Sequence, residues 1–536
     1  MPAVADEVFG RNGNCGGHDV GRFNGVCENP SMRIWVLASM MLAGFGISRA
    51  QAAETYLPSA LTPQQVFAKA RAARGHLTPG SYHSVSERTH GSSALRIDVF
   101  ENGKNYVETD REGTDTWSSG SYNGTDWEQD ENGVVTLLSE SDADANPFTA
   151  ALSRPPGQDS STRVLGITAS QPACVVVQVV PKPGLVQQRY YDAKTFLLRR
   201  VVTADYQNRP WTYTYDGYRT QYGLTYAQTI AYDDGHPENA SVTQSKAFEP
   251  VAASQVHAEI PKSRPLFELP GDTPVTVPAE FTPDGIIVRV TIAGRGLDFK
   301  LDSGAGDIVL DAGVARELGL PVTDTYKGSF SGDYTEGISH APDLSIGALH
   351  GKNVVITLIS GDQLVGERKV VGLLGGDFFA SERVWVNFQN HTLTISPSSA
   401  AAPSGTWSAI PIDVDGHVAR AHAKFNAVDG AFTVDLGADN TMLYPHFFAQ
   451  FHPDRKGEVI GEVEGVAGED VDFRQYVFSR FDFGDFAFSG ANVWVTSGTK
   501  FEELDNDGLL GRNILENFNL VFDYPSGKLY VQSLVQ

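Results

Sequence analysis

The chain contains few cysteines, and this limits how it can be stabilised. Only 3 of its 536 residues are cysteines; Cys15 and Cys27 lie near the N-terminus, so Cys174 is alone in the rest of the chain. A single cysteine cannot form an internal disulfide, and we expect stability to come from packing. Cys174 lies in the apolar, strand-like run Ala-Cys-Val-Val-Val. We therefore predict a buried structural thiol rather than a nucleophile.

Basic residues are also scarce. The chain has 41 Lys and Arg against 65 Asp and Glu, a formal net charge of −24 at pH 7. Nucleic acids and anionic membrane surfaces are bound by clustered basic side chains, so this charge argues against both as partners. The histidines lack metal-ligand spacing, and no phosphate-binding glycine loop is present. We predict no metal and no cofactor.

The apolar run at residues 34–47 is too short to cross a membrane comfortably. It follows Met32 and an arginine and precedes Ala-Gln-Ala at 50–52, the pattern of a secretory signal peptide. We predict a signal peptide at 32–52, export to the periplasm or beyond the cell, and no transmembrane segment in the mature chain. Residues 1–31 are then a non-native or disordered leader. A buried helix or a membrane anchor is the alternative, and a genuine longer N-terminus would make export doubtful.

Residues 54–260 have the pattern of a helix followed by hairpins. Thr62, Pro63 and Gln65 predict the N-terminus of a helix through a capping box. From about residue 82 to residue 248, aromatic and polar residues alternate between Gly, Asn and Asp turns. This pattern predicts a large antiparallel sheet with one covered face.

This helix and its hairpins resemble the half-barrel of LolA-like periplasmic lipoprotein carriers. The resemblance implies a concave apolar surface that holds an acyl chain or a peptide, with a lipid or lipoprotein as partner. The alternative is that the helix and side chains of the domain fill the hollow themselves.

Two segments rich in proline or small residues divide the remaining sequence. Five prolines mark a stiff linker at residues 261–278, and the small residues at 397–405 mark a second boundary. We predict one β-rich lobe at 279–396 and another at 404–536. Each lobe is expected to contain one short helix, at 312–318 and at 445–451.

The two lobes contain a repeated motif. Residues 299–310 read Phe-Lys-Leu-Asp-Ser-Gly-Ala-Gly-Asp-Ile-Val-Leu, and residues 432–443 read Phe-Thr-Val-Asp-Leu-Gly-Ala-Asp-Asn-Thr-Met-Leu. Both place an aspartate, Asp302 or Asp435, after a short apolar strand. Gly-Leu-Leu-Gly follows each at nearly the same interval, at 372–375 and 508–511. Two matching elements in the same order indicate a duplicated structural unit.

This duplicated unit resembles the two lobes of a pepsin, or two retropepsin subunits joined in one chain. The D-[ST]-G-A signature is intact at residues 302–305, and Gly-Arg-Asn at 511–513 matches the retropepsin G-R-[ND] pattern. The resemblance implies a bilobal β-barrel acid-protease fold, so the predicted fold class is mainly β throughout. It also implies an aspartic endopeptidase that acts on polypeptides without a cofactor.

The resemblance assigns the site residues by position. It makes two aspartates catalytic, namely Asp302 and Asp435. Five residues around them are expected to shape the site: Ser303, Gly304, Ala305, Gly437 and Ala438. Asp439 is expected to bind the substrate backbone. Other aspartates are expected to cap turns, face solvent or support the fold: Asp307, Asp311, Asp377 and Asp523.

One position departs from the family pattern. Leu436 stands where the second lobe should have a Ser or Thr, whose hydroxyl joins the two lobes beneath the aspartates. This departure supports an alternative function, in which a weakened protease fold binds peptides or lipoproteins of the cell envelope without cutting them. Substrate-covering flaps are expected at residues 328–337 and 465–468, which are rich in glycine.

Overall fold

The structure is a computed structural model. It describes residues 54–534 except for residues 92, 104, 139–161, 183–184, 205–209, 238, 330–332, 361–369, 402, 404, 452–457, 465–469 and 497–505. The predicted leader, the signal peptide and the second flap tip lie outside the described residues. Two compact units are present: the first contains Phe45–Glu128 and Leu138–Pro261, and the second contains Gln129–Leu137 and Lys262–Gln536.

The first unit begins with the predicted helix, Pro63–Arg74 (α1). The Gln65 amide donates to Thr62 Oγ1 at 3.3 Å, and the Thr62 amide donates to Gln65 Oε1 at 2.9 Å. The capping box is therefore confirmed. These two bonds satisfy amides that lack partners within the first turn of a helix.

Strands account for most of the chain between residues 54 and 251. They are Tyr56–Leu57 (β1), Ser81–His90 (β2), Ser93–Glu101 (β3), Tyr106–Glu112 (β4), Asp115–Tyr122 (β5), Thr125–Gln129 (β6), Val135–Leu137 (β7), Arg163–Thr168 (β8), Cys174–Lys182 (β9), Leu185–Asp192 (β10), Leu198–Ala204 (β11), Pro210–Asp216 (β12), Arg219–Gln221 (β13), Leu224–Tyr226 (β14), Thr229–Asp233 (β15) and Ser241–Val251 (β16).

In the first unit these strands form a sheet in the order β1-β8-β9-β10-β11-β12-β15-β16-β2-β3-β4-β5-β6, and β13 pairs with β14. The large antiparallel sheet is as predicted. Leu95, Ile97 and Val99 alternate along β3 and are buried together with Trp117, because successive side chains of a strand point to opposite faces. Cys174 is buried in β9, in agreement with a structural thiol.

The strand β7 belongs to the second unit. The other strands of this unit follow in chain order. They are Val275–Val277 (β17), Ala279–Thr282 (β18), Gly285–Ile292 (β19), Arg295–Leu301 (β20), Ile308–Asp311 (β21), Asp324–Ser329 (β22), Asp333–Ile346 (β23), Leu349–Ile359 (β24), Gly372–Leu374 (β25), Arg383–Asn387 (β26), Thr392–Ser396 (β27), Ser408–Asp415 (β28), Val418–Phe425 (β29), Val428–Val434 (β30), Met442–Leu443 (β31), Glu458–Glu464 (β32), Asp470–Phe478 (β33), Phe481–Phe483 (β34), Phe486–Phe488 (β35), Ala491–Thr496 (β36), Gly508–Leu510 (β37), Phe518–Asp523 (β38) and Lys528–Ser533 (β39).

The helices of the second unit are short. They are Ala312–Glu317 (α2), Gly376–Ala380 (α3), Pro445–Phe448 (α4) and Arg512–Leu515 (α5), and a 3₁₀ turn at Ala449–Phe451 extends α4. One of these helices in each lobe, α2 or α4, was predicted. Asp311 caps α2 as expected, since its Oδ1 accepts from the Val314 amide at 2.7 Å. Among the described residues, every helix is too short or too polar to cross a bilayer.

The sheets of the second unit describe two similar lobes. The first lobe has the strand order β18-β19-β20-β25-β21-β24-β23-β22. The second lobe has the strand order β29-β30-β37-β31-β36-β33-β32. In both lobes a Gly-Leu-Leu strand lies parallel to the strand before the aspartate and antiparallel to the strand after it. The strands β17-β27-β26-β38-β39-β28 connect the two lobes.

A single apolar core extends through both lobes and the connecting strands. Its largest fully buried side chains include Phe299, Phe378, Phe432 and Phe447. Burial of one such side chain contributes roughly 1.5–3 kcal/mol to the free energy of folding. The mainly β fold class, with an antiparallel sheet and helix followed by two β lobes, is confirmed.

The segment at residues 261–278, predicted as a linker, starts the second unit. Val275–Val277 pairs with β27, and Leu266 and Phe267 are buried in the core. The proline content is therefore compatible with packed, partly regular structure, because the core residues lie between the prolines.

We expect the first unit to lose stability as the pH rises. Glu101 at the end of β3 is buried, and burial raises its pKa from 4.5 to about 8. A carboxyl with a raised pKa in the folded state favours folding when protonated, so its contribution is lost between about pH 4.5 and pH 8. Glu101→Gln should reduce this loss by about 2–3 kcal/mol between pH 5 and pH 7, measured by denaturant unfolding. Exposed Glu259→Gln is the control, and an equal pH dependence in all three proteins would contradict the prediction.

Candidate active site

Asp302 lies at the turn that follows β20. Its amide donates to the Leu374 carbonyl at 3.0 Å, which ties the aspartate to the Gly-Leu-Leu strand. Its Oδ1 accepts from the amides of Gly304 at 3.1 Å and Ala305 at 3.2 Å. The carboxyl is therefore held in one orientation by its own turn.

Asp435 has the same arrangement in the second lobe. Its amide donates to the Leu510 carbonyl at 3.0 Å, and its Oδ1 accepts from the amides of Gly437 at 2.7 Å and Ala438 at 3.0 Å. Equivalent atoms make equivalent bonds in both lobes. The predicted site-shaping residues are thus the ones that orient the two carboxyls.

The two turns face each other. A Cβ added at Gly304 would lie 2.5 Å from Cγ of Asp435, and one at Gly437 would collide with the Asp302 carboxyl. Each glycine therefore makes room for the carboxyl of the other lobe, and any larger residue would displace it. This reciprocal packing brings Asp302 and Asp435 together.

The two buried carboxyls also interact directly. Each carboxyl affects the pKa of the other, and among the described residues Asp435 Oδ2 is buried without a hydrogen-bond partner. Ionised carboxylates offer no donor, so a proton held by one carboxyl of the pair would supply a donor at this place. Burial raises the pKa of Asp302, and burial together with the charge of Asp302 raises the pKa of Asp435 well above its ordinary value. Two like charges this close cannot both ionise cheaply, so the pair titrates as one unit.

Lys300, two residues before Asp302, lies beside this pair. Its Nζ donates to the Gly437 carbonyl at 2.6 Å, which connects the two lobes. Its positive charge lowers the pKa of both Asp302 and Asp435, opposing the effect of burial. The sequence analysis missed this residue, although a lysine between Phe299 and Leu301, just before the aspartate, was a visible signal.

Ser303 connects the lobes beneath the carboxyls. Its Oγ donates to the Val434 carbonyl at 2.7 Å and accepts from the Leu436 amide at 3.0 Å. Leu436 contributes no side-chain bond and is fully buried in the core. The hydroxyl connection is therefore made by Ser303 of the first lobe alone. The same hydroxyl accepts from the Leu436 amide, which is thus hydrogen-bonded although the Leu436 side chain has no hydroxyl.

Asp439 lies near the two carboxyl-bearing turns but is engaged in an ion pair. Its Oδ1 accepts from the buried Arg512, which also donates to the carbonyls of Thr282 at 3.2 Å and Pro283. The Asp439 side chain is 54% exposed, so one side remains open to solvent. Arg512 was visible in the sequence as part of the G-R-[ND] match, but its partner was not.

The polar residues after each Gly-Leu-Leu-Gly support the turns. Asn513 Oδ1 accepts from the Thr441 amide and hydroxyl, both at 2.8 Å. At the equivalent place in the first lobe, Asp377 Oδ2 accepts from the Ile308 amide at 3.1 Å. Asp377 therefore supports the fold, as expected.

Residues 328–329 and 333–337 of the first predicted flap lie in the strands β22 and β23, and residues 330–332 lie outside the described residues. The backbones of these two strands pair from Asp324 with Ile338 to Ser329 with Asp333. A long hairpin is thus present at the expected place between Asp302 and its Gly-Leu-Leu strand. The second predicted flap tip, at residues 465–468, lies outside the described residues.

Known proteins are similar to both parts of the chain. The aspartyl protease family model matches residues 288–378 and 421–514. These two segments contain Asp302 and Asp435, so the predicted resemblance of both lobes to this family is confirmed. No curated protein is significantly similar to the chain.

The similar solved structures include LolA-type proteins. An outer membrane lipoprotein-sorting protein domain from Vibrio parahaemolyticus is 12% identical, with 35% of this chain and 92% of that chain covered and a TM-score of 0.26. A LolA superfamily protein from Nitrosomonas europaea is 14% identical, with 36% and 94% covered and a TM-score of 0.27. A DUF1329 family protein from Desulfovibrio piger is 12% identical, with 33% and 87% covered and a TM-score of 0.24.

We expect Ser303→Ala to destabilise the second unit. The change removes two buried hydrogen bonds and leaves the Val434 carbonyl and the Leu436 amide without this partner. A buried unsatisfied polar group costs about 1–3 kcal/mol, so the free energy of unfolding should fall by roughly that amount or more. Denaturant unfolding measures it, with exposed Ser479→Ala as the control. Equal stability of Ser303→Ala and the wild type would show that the connection contributes little.

Proposed function

We propose that the second unit is an aspartic endopeptidase with Asp302 and Asp435 as its catalytic pair. The observation that carries the proposal is the packing of each buried carboxyl against the glycine of the other lobe, Gly304 or Gly437, which brings the two carboxyls close enough for their charges to interact. Two carboxyls that share one proton form both a general base and a general acid at one place.

In the proposed mechanism the ionised carboxylate of the pair takes a proton from a water molecule. The water oxygen then attacks the carbonyl carbon of the peptide bond, while the protonated carboxyl donates to the carbonyl oxygen, which gives a tetrahedral diol. The carboxyl that took the water proton next donates it to the peptide nitrogen, and the other carboxylate takes a proton back from the diol. The C–N bond breaks, which releases an amine and a carboxylic acid and leaves one proton on the pair. The amides that bind each Oδ1 keep the carboxyls aligned, so little reorganisation is required during the reaction. Because the proton is shared, we assign the base and acid roles to the pair rather than to either residue.

The proposal also includes how the substrate is bound and covered. Asp439 would accept from the substrate backbone with its open side, while Arg512 holds it in place. A polypeptide is then the substrate, and the hairpin of β22 and β23 would cover it. Export and the lipid or lipoprotein partner of the first unit stay predictions from the sequence.

A second candidate function is peptide binding without cleavage. Leu436 favours it, since the hydroxyl connection beneath the carboxyls is made from one lobe only. Purified protein incubated with a peptide library distinguishes the two functions. Cleavage products support the peptidase, and saturable binding without products supports the binding protein.

We expect Asp302→Asn and Asp435→Asn each to lower peptidase activity at least about a hundredfold, because either change removes the shared proton and one half of the acid-base pair. The measurement is pepstatin-sensitive cleavage of an unfolded protein at acidic pH. Asp429→Asn, in an exposed His-Asp pair, is the matched control. Unchanged cleavage by Asp302→Asn would exclude the proposed pair.

We expect Lys300→Met to move the pH profile of cleavage to higher pH. The lysine charge lowers the pKa of both catalytic carboxyls, so its removal should raise the pH at which the pair loses its shared proton. Exposed Lys424→Met should leave the profile in place, and Lys300→Arg should restore it. A shift to lower pH, or none, would contradict this role of Lys300.

A further inference from the structure

The short segment Gln129–Leu137 lies far before the two lobes in the sequence, yet it belongs to the second unit. Val134 is buried in the apolar core of that unit. Asn132 is also buried, and its Oδ1 accepts from the Val355 amide of β24 at 2.9 Å. The segment is therefore an integral part of the second unit, held by an apolar side chain and by a hydrogen bond to a strand of the first lobe.

Asp130 lies in this segment and faces His417. Its Oδ1 accepts from the Val134 amide at 2.7 Å, which fixes the carboxyl within the segment. Its Oδ2 lies 3.6 Å from Nε2 of His417, a distance typical of an ion pair and longer than a hydrogen bond. Burial raises the pKa of Asp130 to about 7, and the charge of His417 opposes this rise. The two side chains therefore interact electrostatically inside the protein.

His417 is placed by the tight turn between β28 and β29. Gly416 has a φ of 53° and His417 a φ of 63°, so both turn residues have left-handed backbones. Glycine and asparagine are preferred at such positions, because a larger side chain is strained there. A Cβ added at Gly376 would collide with the His417 carbonyl, so the turn packs closely against α3. The turn thus brings an imidazole ring to α3 at a conformational cost.

Asp377, in α3, connects His417 to the loop that follows Asp302. Its Oδ1 lies 2.8 Å from Nδ1 of His417, and its Oδ2 accepts from the Ile308 amide at 3.1 Å. The Asp377 amide also donates to the Gly306 carbonyl at 2.9 Å. The loop is therefore attached to α3 through both the side chain and the backbone of one aspartate.

We propose that Asp130 is a positioning residue for the catalytic pair and acts through His417 and Asp377. This role rests on the proposed peptidase function. The contacts lead from Asp130 to the Ile308 amide, in the same loop whose amides orient the Asp302 carboxyl. A shift of this loop would misalign the carboxyl with the water and the peptide bond, and small misplacements of catalytic groups slow a reaction strongly.

Steady-state kinetics of the full chain test this role. Asp130→Asn retains the acceptor for the Val134 amide and removes the charge that faces His417. It should lower kcat per active site about tenfold and change KM less than about twofold, because the reacting groups are misaligned while the binding surface is kept. Titration with pepstatin counts the active sites, so a loss of folded protein does not enter kcat.

The matched control is His422→Gln. His422 makes the same 2.8 Å contact to an aspartate, Asp429, but at an exposed position, so this variant should keep the wild-type kcat and KM. A normal kcat in Asp130→Asn, or a loss confined to the free energy of unfolding, overturns the positioning role.

A double variant tests the route through the histidine. If Asp130 acts through His417, the chain with both Asp130→Asn and His417→Gln should have about the kcat of His417→Gln alone. A double variant in which the two single losses multiply overturns this route.

Hydrogen exchange separates the positioning role from the proposed function. Mass spectrometry of peptides that contain residues 302–311 measures the loop without any substrate. Exchange there should be faster in Asp130→Asn than in the wild type, and unchanged in His422→Gln. Unchanged exchange in Asp130→Asn overturns the positioning role even in an active enzyme, whereas a wild-type chain that cleaves no peptide contradicts only the proposed function.

Discussion

The packing of two aspartate turns against each other is the constraint on which the second unit depends. Each turn has a glycine two residues after its aspartate, and each glycine lies against the carboxyl of the other lobe. A side chain at either position would force the lobes apart. The burial of the two carboxyls, the interaction between their charges and their raised pKa values all result from this packing.

The two lobes share a topology but are held together asymmetrically. Ser303 supplies the hydroxyl connection to the second lobe, and Leu436 replaces its counterpart with an apolar side chain in the core. Lys300 adds another bond from the first lobe to the second. In the other direction, Arg512 bonds to carbonyl groups of the first lobe. After duplication, equivalent places thus retained their backbone geometry while different side chains took over the connections.

The sequence predicted the repeated units because their signals are local. An apolar strand, an aspartate and a glycine two residues later are contiguous, and the capping box at Thr62 spans only four residues. Strand alternation likewise identified the antiparallel sheet of the first unit. The roles of Lys300 and Arg512 were missed. Their partners are distant in sequence, so no spacing within the chain indicates the contact.

The sequence by itself determined that two equivalent aspartates each sit in a tight turn after a buried strand, since local backbone preferences and hydrophobic pattern are sufficient for that. Only the tertiary structure decided which groups surround them. Whether a buried carboxyl meets another carboxyl or a lysine depends on how separate strands pack. Desolvation and Coulomb interactions then act over a few ångströms in space, without regard to distance along the chain.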